Sequence, residues 1–244
     1  MSEAPQRITP DMLLSRRVDF ERRMRRLPPL TVGLIAVLAL IFAVEAAMDV
    51  PESRDAIVMA GALEAASVAA GQYWRLVSAT FLHGSFEHLV SNAIALLILG
   101  MVCEHAFGRG QFLLLYLGSG VAGSLLSLLT SAGPSVGASG AIFGLQAAAI
   151  VLFRRHRERL LLRDRRIGVV LAVWAILSIA GGVFSPYIDN GAHVGGALGG
   201  ALIARHLHPV VLEPMPDAQR RRVRRWLWLA AAVLACTLVG WLAH

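Results

Sequence analysis

The sequence predicts an all-α membrane protein of seven spans, six followed beyond a basic linker by a seventh, a six-plus-one arrangement. Three observations predict it. First, 56% of the 244 residues are hydrophobic and 16% are charged, with a mean hydropathy of +0.62. Soluble domains run near ~45–50% apolar and ~25% charged, so a soluble protein and a disordered one are both excluded. Second, seven apolar runs stand along the chain, several of them short, by apolarity alone, of the roughly 20 residues that a spanning helix needs and extended by small and a few polar residues. Third, the arginines alternate from side to side across all seven runs.

The first run covers residues 30–48. An Arg-rich tail, 1–29, precedes it. Asp11, Asp19 and Glu21 in that tail argue against an organelle transit sequence. The run itself is too long for a cleaved signal, so it reads as a retained first span. Runs at 88–103, 112–130, 139–153 and 167–184 follow. The fourth is short: about 15 residues rising 1.5 Å each cover about 22 Å of a hydrocarbon layer about 30 Å thick. One of its ends therefore needs irregular chain shielded by protein or water. The sixth run, 192–204, carries Gly195/Gly199 and Gly196/Gly200 at GxxxG spacing, which permits close helix packing. Residues 30–206 thus hold the first six runs. A basic linker, 207–225, leads to the seventh helix, 226–244, where Trp226, Trp228 and Trp241 read as interfacial anchors at the two ends.

All 23 basic residues are Arg, and the net charge is +7. That balance suits nucleic acid or an anionic membrane surface, and placement decides for the lipid bilayer and against nucleic acid. Twenty-one of the arginines fall on one side of the spans, leaving Arg54 and Arg75 on the other. The positive-inside rule then places the N-terminus in the cytoplasm, and the basic tail suits anionic lipid. Glu104, at the inner end of the second span, is expected to pair with a cytoplasmic Arg. Cys103 and Cys236 lie far apart in apolar runs and form neither a disulfide framework nor a zinc pattern.

With this orientation the second, fourth and sixth spans run inward, and each opens with polar residues. The second opens with His83, Ser85, His88 and Asn92, the fourth with Ser139, and the sixth with Asn190 and His193. All share one depth, and ionisable groups inside a membrane mark function. A serine hydroxyl is a weak nucleophile until a base takes its proton, and His193 is the candidate base. Ser139, at a helix start, has backbone N–H groups that lack intrahelical partners and suit a developing oxyanion. His88 and Asn92, spaced i and i+4 on one face, offer further donors to that oxyanion. Phe143, one turn after Ser139, offers a ring to stack on His193. Asp189 falls in the outer loop, so a Ser–His dyad is favoured over a triad. His83 and Ser85 read as loop hydrogen-bonders. No metal or cofactor is expected.

The segments Tyr73-Trp74-Arg75, Phe81-Leu82-His83-Gly84-Ser85, His88-Leu89-Val90-Ser91-Asn92, Gly137-Ala138-Ser139-Gly140 and Gly191-Ala192-His193 resemble, in order, those of the rhomboid intramembrane serine proteases. The resemblance covers about residues 30–206. It implies a rhomboid-like six-helix core whose short fourth span lies beneath a water-filled cavity. It also implies Ser139 as nucleophile, His193 as general base, and an oxyanion hole of His88, Asn92 and the Ser139 amide. Trp74-Arg75 would sit in a structured outer loop partly in the membrane, and substrate would arrive laterally past the fifth span and the loop 184–190. Phe143 stands where many rhomboids carry Tyr, which keeps a stacking surface without a hydroxyl. The seventh span carries no catalytic candidate.

The expected activity is that of a serine endopeptidase cutting single-span or other membrane-protein substrates. The expected location is a bacterial plasma membrane, with the site open to the outer face. Two alternatives stand beside it. A catalytically inactive rhomboid-like protein that binds membrane helices is disfavoured by the presence of Ser139 and His193. A small transporter is disfavoured because no inverted repeat is found. The sequence carries no signal for oligomeric state.

Overall fold

A computed structural model describes residues 17–161, 166–184 and 188–243, without the side chain of Arg23. Arg7, Arg16, Arg163, Arg165 and residues 185–187 of the loop 184–190 lie outside the described residues. Within them, seven helices have 15 residues or more: α1 (Pro29–Ala47), α2 (Phe86–Phe107), α3 (Arg109–Thr130), α4 (Ser139–Arg155), α5 (Ile167–Gly182), α6 (Asn190–Ala204) and α7 (Asp217–Leu242). They coincide with the seven apolar runs. Four of them, α1, α2, α3 and α7, are long and apolar enough to cross a membrane, and α5 is a shorter apolar helix.

The helix α4 is the centre of the bundle, with most of its residues buried. It packs on α2, α3, α5 and α6. The small residues of α6 make that possible. A Cβ on Gly196 or Gly200 would collide with the α4 backbone at Gly140 or Gly144. Gly195 and Gly199 face α3 instead, where a Cβ would stand 2.6 Å from the Ala122 carbonyl or 2.5 Å from the Ala122 Cβ. The two GxxxG pairs therefore serve two different neighbours, and each removes side-chain bulk so that main chains touch. By contrast, α5 buries only Leu171 and Gly182, and α7 buries no residue. Both ride on the outside of the bundle.

Pro28 and Pro29 open α1, where a missing N–H costs nothing. The next donors are satisfied from α2. The Glu104 carboxylate accepts the Leu30 N–H at 3.1 Å, the Thr31 N–H at 2.8 Å and the Thr31 hydroxyl at 2.9 Å. An arginine does stand near, Arg109 at 3.9 Å, but it is largely exposed. Glu104 is thus chiefly a helix cap supplied from a neighbouring helix.

The segments flanking the core are built into it. Val18–Asp19 (β1) pairs in parallel with Leu160–Leu161 (β2), just after α4. Phe20 is fully buried, edge-on to Phe153 of α4 at 5.8 Å. In the linker, Gln111 of α3 donates to the Phe107 and His208 carbonyls at 2.7 Å and accepts the His208 N–H at 2.8 Å. The helix α7 starts at Asp217, well before the apolar stretch at Trp226, because the five arginines among residues 220–225 favour helix about as much as leucine does. Trp241, expected as an interfacial anchor, donates its indole N–H to the Ala60 carbonyl at 2.9 Å.

Candidate active site

Three of the predicted side chains meet. Ser139 Oγ and His193 Nε2 lie 2.9 Å apart, although 54 positions separate them along the chain. The Phe143 ring stacks on the His193 ring, with centroids 4.2 Å apart and planes 16° from parallel. Local structure explains each placement. Ser139 is the first residue of α4, and Phe143 follows one turn later on the same face. His193 sits in the first turn of α6, whose N-cap is Asp189. The α4–α6 backbone contact brings the two helix starts together.

The His193 backbone N–H donates to the Asp189 carbonyl at 3.2 Å, but the Asp189 carboxylate does not bond to the His193 ring. One of its oxygens accepts the Ala192 N–H at 2.9 Å, and the other accepts the Ser127 hydroxyl. His193 Nδ1 is buried and has no hydrogen-bond partner among the described residues. Burial alone would push the Asp189 carboxyl up. Hydrogen bonds from the Ser127, Ser135 and Ser131 side chains and the Ala192 amide outweigh it and hold the carboxyl below the usual range. The carboxylate is a cap, and among the described residues no acid is bonded to the His193 ring.

His88 and Asn92 lie on α2, whose N-cap Ser85 accepts the His88 N–H at 3.2 Å. Both flank Gly137, just before Ser139. A Cβ on Gly137 would stand 2.6 Å from His88 Cε1 and 3.6 Å from Asn92 Nδ2. Gly137 also holds φ at +127°, a conformation that L side chains rarely adopt. Asn92 is buried, and its Nδ2 has no partner among the described residues. It is a donor left open beside the start of α4.

The turn leading to Ser139 is braced by the loop before α2. Leu63 and Ser135 exchange backbone hydrogen bonds at 3.0 and 2.9 Å, and the Gly137 N–H donates to the Ala79 carbonyl at 2.9 Å. A cavity of about 10 Å³ lies behind the turn, lined by Thr80, Ser124, Gly137, Gly140 and Ala192, with room for about one water.

Two further polar residues stand beside the site, and of these only His83 stands out in the sequence. Glu45 of α1 is buried and accepts the His83 N–H at 3.3 Å. His83 is fully buried, edge-on to His88 at 5.2 Å. Glu45 reads in sequence as an acid near the end of an apolar run, where interface water would take it. Ser85 is the hydrogen-bonder expected of it.

An all-α membrane bundle with a serine and a histidine in contact at its adjoining helix starts defines a narrow class. The chain matches the Rhomboid domain family over residues 70–210, and it belongs to the rhomboid family. It is 34% identical to rhomboid protease GluP of Bacillus subtilis (strain 168), over 89% of this chain and 40% of GluP. It is 35% identical to RHOMBOID-like protein 5 of Arabidopsis thaliana, over 75% of this chain and 63% of that protein. It is 28% identical to rhomboid protease AarA of Providencia stuartii, over 72% of this chain and 70% of AarA. The chain therefore spans less than two thirds of the length of the first two.

Proposed function

We propose that this protein is an intramembrane serine endopeptidase that hydrolyses a peptide bond in or near the membrane helix of a substrate protein. The observation that carries the reading is the 2.9 Å approach of Ser139 Oγ to His193 Nε2, under a stacked Phe143 ring. His193 takes the proton of Ser139 as the oxygen attacks the scissile carbonyl. His88, Asn92 and the Ser139 amide stabilise the oxyanion. His193 then returns the proton to the leaving amine, and water hydrolyses the acyl-enzyme. Phe143 holds the imidazole plane throughout.

In this reading residues 30–206 are the catalytic core, 1–29 a cytoplasmic tail, 207–225 a cytoplasmic linker and 226–244 an added span. The Ser139 end faces the outside of a bacterial plasma membrane, because the arginines crowd the other end. The substrate helix must unwind locally to expose its bond, so helix-breaking residues near the cut favour cleavage.

The test uses purified protein in detergent with a single-span substrate. Cleavage is expected, with loss to background in Ser139→Ala and in His193→Ala. Cleavage undiminished in both variants would remove the assignment.

A further inference from the structure

We propose that the seventh helix is a strut for the active site: Gly240 and Trp241 are positioning residues that hold the loop 54–80, and through it the turn that presents Ser139. The proposal rests on the protease reading for its catalytic consequence and on contacts alone for its mechanical one.

The chain of contacts begins at the last turns of α7. Trp241 donates its indole N–H to the Ala60 carbonyl at 2.9 Å. Ala60 ends the short helix Arg54–Ala60, and carbonyls in a last turn lack intrahelical partners. One residue earlier, the backbone of Gly240 lies against the Trp74 indole. A Cβ there would stand 2.6 Å from Trp74 Cδ1 and 2.8 Å from Cγ. Gly61 meets the other end of the same indole, its Cβ position 2.8 Å from Trp74 Cζ3. Trp74 is thus wedged between two glycines, one in the loop and one in α7. Neither site has room for a side chain.

The second link is the loop itself. The Arg75 guanidinium lies 4.7 Å over the Trp74 ring. It donates to the Val58 and Ala62 carbonyls at 2.5 and 2.8 Å and to Gln72 Oε1 at 2.6 Å. Ser78 donates to the Gly61 carbonyl at 2.8 Å. Motion of Trp74 is therefore shared with residues 58–78. The third link joins the loop to the site. The helix Arg75–Ser78 runs into Ala79, whose carbonyl takes the Gly137 N–H, and Leu63 is paired with Ser135. Gly137 lies against His88 and Asn92 and leads directly into Ser139. A displacement of about 1 Å at reacting groups can cost on the order of 10²-fold in rate, so bracing this turn matters to the chemistry.

The experiment compares the full chain with Gly240→Ala, Gly240→Leu and Trp241→Phe in lipid nanodiscs. Backbone hydrogen exchange reads the strut, and the rate of Ser139 labelling by a fluorophosphonate reads the site. Gly240→Leu is expected to raise exchange at 56–80 and 135–139 while the middles of α3, α4 and α6 keep their protection. Labelling is expected to slow about tenfold or more, and kcat for a cleaved substrate to fall with KM little changed. Gly240→Ala is expected to give a smaller shift in the same direction. Trp241→Phe keeps the ring and removes the donor, and carries the test if Gly240→Leu does not fold. Faster exchange confined to 236–243, or labelling equal to that of the unaltered chain, would overturn the proposal. Absence of labelling in the unaltered chain would instead strike the protease reading, and the exchange pattern would still decide the strut.

Discussion

The carbonyl oxygen of Gly140 lies so close to the α-carbon of Gly196 that a methyl group on Gly196 would overlap it. Gly140 adjoins Ser139, and Gly196 lies three residues past His193. The packing of two main chains therefore sets the distance between the hydroxyl and the imidazole. Gly196→Ala is expected to destabilise the protein by about 1–3 kcal/mol through overpacking and to slow Ser139 labelling sharply. Gly33→Ala, where nothing lies within 4 Å, is expected to be neutral or slightly stabilising. Thermal unfolding in detergent and fluorophosphonate labelling check both.

The stacked ring gives a second prediction. Phe143→Tyr keeps the aromatic face against His193 and is expected to retain activity. Phe143→Ala leaves the imidazole free to turn and is expected to lower kcat about tenfold to a hundredfold, within the ~10²–10⁴-fold that a positioned base supplies. Equal rates for the two variants in a cleavage assay would show that the ring does not orient the base.

Removal of one oxyanion donor typically costs on the order of 10²–10³-fold in kcat. His88→Ala and Asn92→Ala are each expected to fall in that range with the fold retained. Kinetics on a single-span substrate, beside unfolding temperatures for each variant, separate a lost donor from a lost fold.

The Glu104 cap gives a prediction about stability alone. Glu104→Ala leaves the Leu30 and Thr31 donors without their acceptor, at about 1–3 kcal/mol for a buried group left unpaired. Glu104→Gln keeps one acceptor and is expected to lose less. Unfolding temperatures rank the pair, and an order of Gln below Ala would contradict the capping account.

Asp189 gives a pH dependence. Its carboxyl is held below the unfolded value, so the folded protein favours the ionised form. That contribution is complete above the unfolded pKa of about 3.9 and is lost as pH falls through the lower folded pKa. Asp189→Asn is therefore expected to unfold at a lower temperature than the unaltered chain from pH 7 to about pH 4, with the gap closing at more acidic pH. A gap independent of pH would mean that the charge plays no part.

Much of this architecture is legible in the sequence, and what is not has a physical reason. Apolar length is a local property, so the seven runs coincide with the seven long helices. Ser139, His193, His88 and Asn92 stand out because polar groups at one depth of an apolar chain are conspicuous. The GxxxG spacing predicted close packing for α6, but which glycine faces α3 and which faces α4 depends on helix rotation. Glu45 and Glu104 look alike in sequence, each an acid near the end of a span. Only tertiary contact shows one meeting a loop amide and the other the start of α1. The docking of Trp241 was hidden for the same reason, since an interfacial tryptophan and a hydrogen-bonded one read identically.

Phe20 seats edge-on against Phe153, and the strand just before it, Val18–Asp19, pairs with residues that follow α4. The ribosome makes Phe20 more than a hundred residues before its partner exists. Through the synthesis of the first four spans, this aromatic plug has no socket to fill. Seating it consequently waits for the central helix and depends on that helix having reached its place.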